Sequence, residues 1–268
     1  MQGDRDLRAG RARTSERDET VKLSVQNLAC RRSGRLIFSN LSFSLSSGEA
    51  AVVTGRNGAG KSTLLAILAG GLRPEAGTIT AEGLGEAMLA ERLHWVGHRD
   101  ALKAALTAEE NLAFARDLLG EPDRSPRDAL AAVGLAHAAP LPVAYLSAGQ
   151  RRRVALARLL VARRPLWLLD EPTSALDAAA QATLLQLMQE HLAGGGLIVA
   201  ATHQELGIAG AKEVRIERAL APSPREWGED WGEDPVARAR SADEAPSPSD
   251  PPLTSALSPR AGRGEGSA

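Results

Sequence analysis

Cysteine is nearly absent from this chain: Cys30 is the single one in 268 residues. An internal disulfide is therefore excluded, which agrees with a reducing compartment. Charge of one sign is not in excess either, with 32 Lys and Arg against 33 Asp and Glu and a formal net charge of −1. That balance removes any bulk electrostatic case for nucleic acid or an acidic membrane as partner. No apolar run is long enough to span a bilayer. The opening stretch MQGDRDLRAGRARTSERDET lacks the apolar core of a signal peptide. A membrane role is thus expected to come through a partner, without direct insertion of this chain. Also missing are an internal repeat, a long heptad stretch and a C-x-x-C-H haem-attachment motif.

What is present divides into three by composition. Residues 1–20 are almost all polar or charged and are expected to form a disordered arm. Residues 21–218 alternate apolar strand-like runs with helical segments, the pattern of an α/β domain. Residues 219–268 turn rich in Pro, Ser, Gly and charge (PSPRE, APSPSDPP, SPRAGRGEGSA) and are expected to be a disordered tail. Its Trp227 and Trp231 are either docking residues or stray exposed aromatics. Within the domain, KLSVQNLAC and SNLSFSLSSGEA read as antiparallel strands ending in a Ser-Ser-Gly turn. AAVVT, RLHWVG, RPLWLLD and GLIVAAT read as buried strands.

GRNGAGKST, residues 55–63, follows AAVVT and opens the helical run LLAILAG. It is a full match to the phosphate-binding loop in its strand–loop–helix setting. Gly55, Asn57, Gly58 and Gly60 let the backbone wrap a phosphate with its N–H groups turned inward. The helix starting near Lys61 adds positive potential. Lys61 is expected at the β- and γ-phosphates of ATP, and Ser62 on Mg²⁺ with Thr63 beside it. A bland Gly-rich turn does not account for Lys-Ser-Thr at that place.

RPLWLLDEP ends an apolar strand in two acids. Phosphoryl transfer needs one acid to help hold Mg²⁺ and another group to orient the attacking water. Asp170 suits the first task. Glu171, read as free of an amine or metal partner, suits the second. On its own the pair reads equally well as solvated acids; a phosphate loop upstream tips the balance. His203 ends the strand GLIVAAT, where a histidine can hydrogen-bond a γ-phosphate.

LSAGQRRRVALARLL, residues 146–160, resembles the signature motif of ABC ATPases, which ordinarily reads Leu-Ser-Gly-Gly-Gln. Ser147 can cap a helix beginning near Gln150, and Gly149 lets backbone approach a ligand. The resemblance covers roughly residues 23–217. It implies a RecA-like core, an antiparallel β-subdomain and an inserted helical subdomain at about residues 99–157. It also implies that Ser147, Gly149 and Gln150 serve the nucleotide of a second copy, so that each ATP is sandwiched in a homodimer. SALD, residues 174–177, matches the loop at that dimer interface and places Asp177 with the nucleotide-binding residues. Asp170 and Glu171 match the second nucleotide motif, and His203 the switch histidine. Arg151, Arg152 and Arg153 read as one solvated turn of helix or as a small basic patch.

Two departures from the family pattern stand out. His98 occupies the place of a glutamine that contacts Mg²⁺, water and the membrane subunit; a register shifted to Arg99 is the alternative. The aromatic residue that stacks on adenine is missing near residues 31–33, where Arg32 can stack instead. Together with LACRRSGRLIFSNLSFSL, WVGHRDALKAALTAEENL and ATHQEL, these features resemble the group of ABC ATPases that drive haem export in cytochrome c maturation. That resemblance implies integral membrane subunits as partners, a peripheral place on the cytoplasmic face of the bacterial inner membrane, and no nucleic-acid ligand. The alternatives are another ABC exporter, or a soluble ABC ATPase acting on nucleic acid or ribosomes. His94 and His98 are four apart on a strand and make no metal site by spacing alone. Cys30 is a ligand, a sensor or, by default, a small buried apolar residue.

Overall fold

The structure, a computed structural model, describes residues 20–84 and 88–217. Apart from Thr20, the arm expected at 1–20 lies outside the described residues, as does the tail expected at 219–268 with Trp227 and Trp231. Two antiparallel strands open the domain, β1 (Lys22–Arg32) and β2 (Arg35–Ser46). Their two-residue turn puts Ser33 at φ 47° and Gly34 at φ 76°, the handedness that matches the twist of paired strands. The register runs from Lys22 opposite Ser46 to Arg32 opposite Arg35. After β3 (Ala50–Thr54) and α1 (Lys61–Leu68), β4 (Ala76–Glu82) pairs antiparallel with the other side of β1. The three-stranded sheet has the order β2-β1-β4.

The remaining strands are β5 (Leu93–Val96), β6 (Leu166–Asp170), β7 (Leu197–Ala201) and β8 (Lys212–Arg215). They join β3 in a parallel sheet of order β5-β6-β7-β3-β8. Every residue of β6 and β7 is buried, as expected of parallel strands covered on both faces, whose sequences are continuous apolar runs. Alternation assigns the faces. Leu166 and Leu168 join a core with α1 and the antiparallel sheet, while Trp167 and Leu169 join a second core reached by the helices.

Between β5 and β6 the chain inserts α2 (Ala108–Leu119), α3 (Pro126–Ala132) and α4 (Ala148–Ala157). A similar device starts each of them. Thr107, Ser125 and Ser147 accept from the backbone N–H three residues on, and Glu110 and Gln150 close reciprocal capping boxes. α5 (Ala178–Ala193), capped by Asp177, leads into β7. The fold is thus α/β, with a RecA-like parallel core, an antiparallel β-subdomain and an inserted helical subdomain. No helix among the described residues is long and apolar enough to cross a membrane.

Candidate functional site

The phosphate loop leaves the end of β3 and runs directly into α1. Gly60 caps α1 at φ 112°, and a Cβ there would meet Ile37 Cγ2 at 2.5 Å and Phe38 Cδ1 at 3.1 Å. Only glycine fits, because both the backbone angle and the hairpin side chains exclude anything larger. Lys61 is buried, at 7% exposure, and its Nζ donates to Gly55 O across the loop at 2.9 Å. Asn57, Gly58 and Ser62 are exposed around it, with Thr63 half-buried. The first intrahelical bond is Leu64 N to Gly60 O. The N–H groups of Lys61, Ser62 and Thr63 therefore have no intrahelical acceptor and are available to an anion.

Asp170 and Glu171 stand two strands away in the sheet, at the same end of it as the loop after β3. Asp170 is buried at 5% exposure and Glu171 half-buried. Glu171 adopts φ 45°, a left-handed angle rare for a side chain of this kind. Its N–H donates to Ala201 O at 2.8 Å, and its carbonyl accepts from Ser174 N at 3.1 Å. Glu171 was expected to have no amine or metal partner; its neighbour is an imidazole, with Oε2 2.9 Å from His203 Nδ1, because β7 runs beside β6 and delivers the histidine there. His203 itself is exposed, so its other ring nitrogen can reach a ligand.

α4 begins at Ala148, two residues before the start expected near Gln150, because Ser147 Oγ accepts from Gln150 N at 3.2 Å and Gln150 Oε1 accepts from Ser147 N at 2.8 Å. Gly149 faces a constraint inside its own chain: a Cβ there would sit 2.8 Å from Ala175 O. The close approach that demands glycine is to the loop of residues 174–177. Asp177, in the same loop, spends one carboxylate oxygen on Ala180 N at 2.8 Å.

The reading of Arg151, Arg152 and Arg153 as a solvated turn or basic patch is overturned. Arg152 is buried at 3% exposure. Its Nη1 donates to Gly97 O at 2.8 Å and Asp100 Oδ1 at 3.3 Å, and its Nη2 to Asp170 O and Glu171 O, both at 2.8 Å. Arg151 and Arg153 donate to Leu146 O and Val133 O. All three donate within the fold: α4 packs against α2 and α3, and Arg152 reaches from it to the ends of β5 and β6.

His98 is exposed in the loop after β5, whereas His94 points into the core and donates from Nε2 to Ala162 O at 2.8 Å. Burial, aided by Arg164, Arg158 and His191 and opposed by the Ala162 bond, pushes the His94 pKa down to about 4. Cys30 is a core residue of the antiparallel sheet, and burial raises its thiol pKa. Arg32 is exposed at the hairpin end of β1, and Arg31 pairs with Glu75 at 3.2 Å. Beyond His98, buried Asn111 fixes the loop into α2: it accepts from Lys103 N and donates to Lys103 O, Leu106 O and Thr107 O. Lys103 Nζ lies 5.1 Å from the centroid of the exposed Phe114 ring.

A parallel sheet feeding a phosphate loop, an acid pair with a histidine, and a capped helix lodged between them define an ATP-hydrolysing domain of the ABC type. The family model for "ABC transporter" matches residues 38–174, and the chain belongs to that family. Among its relatives is the "Cytochrome c biogenesis ATP-binding export protein CcmA" of Rhodopseudomonas palustris (strain BisB5). It is 60% identical over 200 residues, 74% of this chain and 98% of the relative. The protein of the same name from Nitrobacter winogradskyi is 57% identical over 197 residues, 73% of this chain and 98% of the relative. A solved ATP-binding subunit of an ABC transporter superposes with a TM-score of 0.61 at 27% identity, covering 68% of this chain and 79% of that one.

Proposed function

We propose that this chain is the ATP-hydrolysing subunit of the membrane exporter that serves cytochrome c biogenesis, with haem as the molecule moved. The observation that carries this reading is the identity of 60% with a protein named for that process, across nearly its whole length. The phosphate loop after β3, the acid pair at the end of β6 and His203 beside Glu171 support it.

In this reading Lys61 and the loop N–H groups hold the phosphates of ATP, and Glu171 orients and deprotonates the attacking water. His203, hydrogen-bonded to Glu171, meets the γ-phosphate. Ser62 and Asp170 would hold Mg²⁺, which would supply positive charge beside the phosphates. That donor set fits: a hydroxyl and a carboxylate, both oxygen ligands, at the same end of the parallel sheet. Two protein oxygens with phosphate and water completing the shell is how Mg²⁺ is ordinarily bound. His98, exposed on the loop after β5, belongs to the partner-facing surface.

Two copies close on two nucleotides, each bringing Ser147, Gly149, Gln150 and the loop ending at Asp177 to the other's phosphates. The integral membrane subunits dock on the loop from His98 to Lys103 and the adjoining exposed Phe114 and Leu118 of α2. The complex sits with this chain on the cytoplasmic face of the bacterial inner membrane. The test is a strain lacking this chain. It should make apocytochrome c without attached haem, and be restored by the wild-type chain but not by Lys61→Ala. Normal holocytochrome c in that strain, with no second copy of the gene, would remove the export assignment.

A further inference from the structure

We propose that Arg152 is a positioning residue for hydrolysis, fixing the backbone that carries Glu171 and tying it to the loop that follows β5. This rests on the reading of Glu171 as the group that activates water. Arg152 touches neither the phosphate loop nor any residue assigned to bind nucleotide through its side chain. Its guanidinium instead holds the carbonyls of both members of the acid pair, at 2.8 Å each.

The need for such a clamp is visible in Glu171 itself. A non-glycine residue at φ 45° sits in a sparsely populated conformation that persists only where its surroundings hold it. Three backbone bonds do so: Ala201 O on its N–H, and Ser174 N and Arg152 Nη2 on its carbonyl. Of these, only the Arg152 bond comes from a side chain. Burying a guanidinium is costly unless it is paired, and here the sole carboxylate on it, Asp100 Oδ1, is at 3.3 Å. Its Nε has no partner among the described residues. An apolar side chain of similar volume would fill the space but leave Gly97 O, Asp170 O and Glu171 O without this donor. What Arg152 provides is four directed donations to two loops.

Those segments follow adjacent strands, β5 and β6. The Nη2 bonds fix the end of β6. The Nη1 bonds fix Gly97 O and Asp100, which flank exposed His98. The helix that carries Arg152 is the one whose N-terminus Ser147 caps. One rigid planar fork therefore connects α4, the loop after β5 and the acid pair. A shift of that loop by a bound partner reaches Glu171 through Arg152 without passing through the nucleotide.

The experiment uses the full-length chain and compares wild type with Arg152→Gln, Arg152→Lys, Glu171→Gln and Glu171→Gln/Arg152→Gln. ATP affinity is read by equilibrium binding without Mg²⁺, and turnover is normalised to the fraction of chains that bind ATP. Arg152→Gln should lower kcat about tenfold or more, since misplacing a reacting group by ~1 Å can cost about 100-fold. KM for ATP should stay within about twofold, and Arg152→Lys, which keeps the charge but not the fork, should fall between. In the Glu171→Gln background the Arg152 change should add nothing to single-turnover rates, the non-additivity expected of groups acting through one another. A purely structural role would lower the binding-competent fraction and leave normalised kcat unchanged. Normalised kcat within twofold of wild type in Arg152→Gln, with Glu171→Gln inactive, would overturn the positioning role alone. If Arg152→Gln does not fold, wild-type kcat in Arg152→Lys would overturn it. Wild-type turnover in Glu171→Gln would instead remove the reading of Glu171, and the role of Arg152 with it.

Discussion

Replacing His94 with leucine should remove about half of the acid sensitivity that the two buried histidines, His94 and His191, give this fold. His94 lies on β5 opposite Trp167, and its neighbours include Arg158, Arg164 and His191. Burial leads the shift of its pKa from 6.5 to about 4. His191, stacked on Trp167 with centroids 3.9 Å apart, is likewise pushed down to about 4 by burial, with the bonds to Leu197 and Pro165 opposing. Both folded-state values lie below the unfolded one, so as pH falls the unfolded chain takes up these protons first. The stability each contributes is complete above about pH 6.5 and is lost as pH falls towards 4. Between pH 7.5 and pH 5 that amounts to about 2 kcal/mol per histidine, or roughly 4 kcal/mol for the two. His94→Leu should cut this difference to about 2 kcal/mol; it should cost about 1–3 kcal/mol at pH 7.5, where Ala162 O loses its donor, and about 2 kcal/mol less than that at pH 5. Urea unfolding at both pH values, followed by tryptophan fluorescence, measures the difference directly. An equal pH difference in wild type and His94→Leu would refute the reasoning.

Two further perturbations test other contacts. Gly149→Ala forces a Cβ to within 2.8 Å of Ala175 O, so urea midpoints should show a loss of about 1–3 kcal/mol; an unchanged midpoint would show that the loop yields freely. Leu102→Asp or Lys103→Asp should weaken co-purification with the membrane subunits while leaving equilibrium ATP binding unchanged. Retained assembly in both variants would move the docking surface elsewhere.

Much of this site is legible locally. The phosphate loop, the acid pair and the Ser147 cap are short segments whose residue types and spacing impose their own geometry, and the structure assembles them. The buried strands AAVVT and GLIVAAT are equally plain, since an apolar run covered on both faces has nothing else to be. Other features depend on partners far along the chain. β8 presents one buried residue, Val214, in four, and β4 has none, so neither carries a strong periodic signal; pairing with β3 and β1 creates them. Three consecutive arginines on one turn read as solvated, because nothing local announces that Gly97, Asp100, Asp170 and Glu171 will surround the middle one. The His203–Glu171 contact and the fit of Gly149 against Ala175 likewise exist only once β6, β7 and α4 are side by side.

The central claim is that the phosphate loop and acid pair form one ATP-hydrolysing centre, and Mg²⁺-dependent ATPase turnover of the purified full-length chain tests it most directly. Lys61→Ala removes the cation at the β- and γ-phosphates, and Glu171→Gln keeps the shape of the side chain but loses the base. Each should lower kcat by about 100-fold or more, with Glu171→Gln still binding ATP. Turnover at the wild-type rate in either variant would contradict the account.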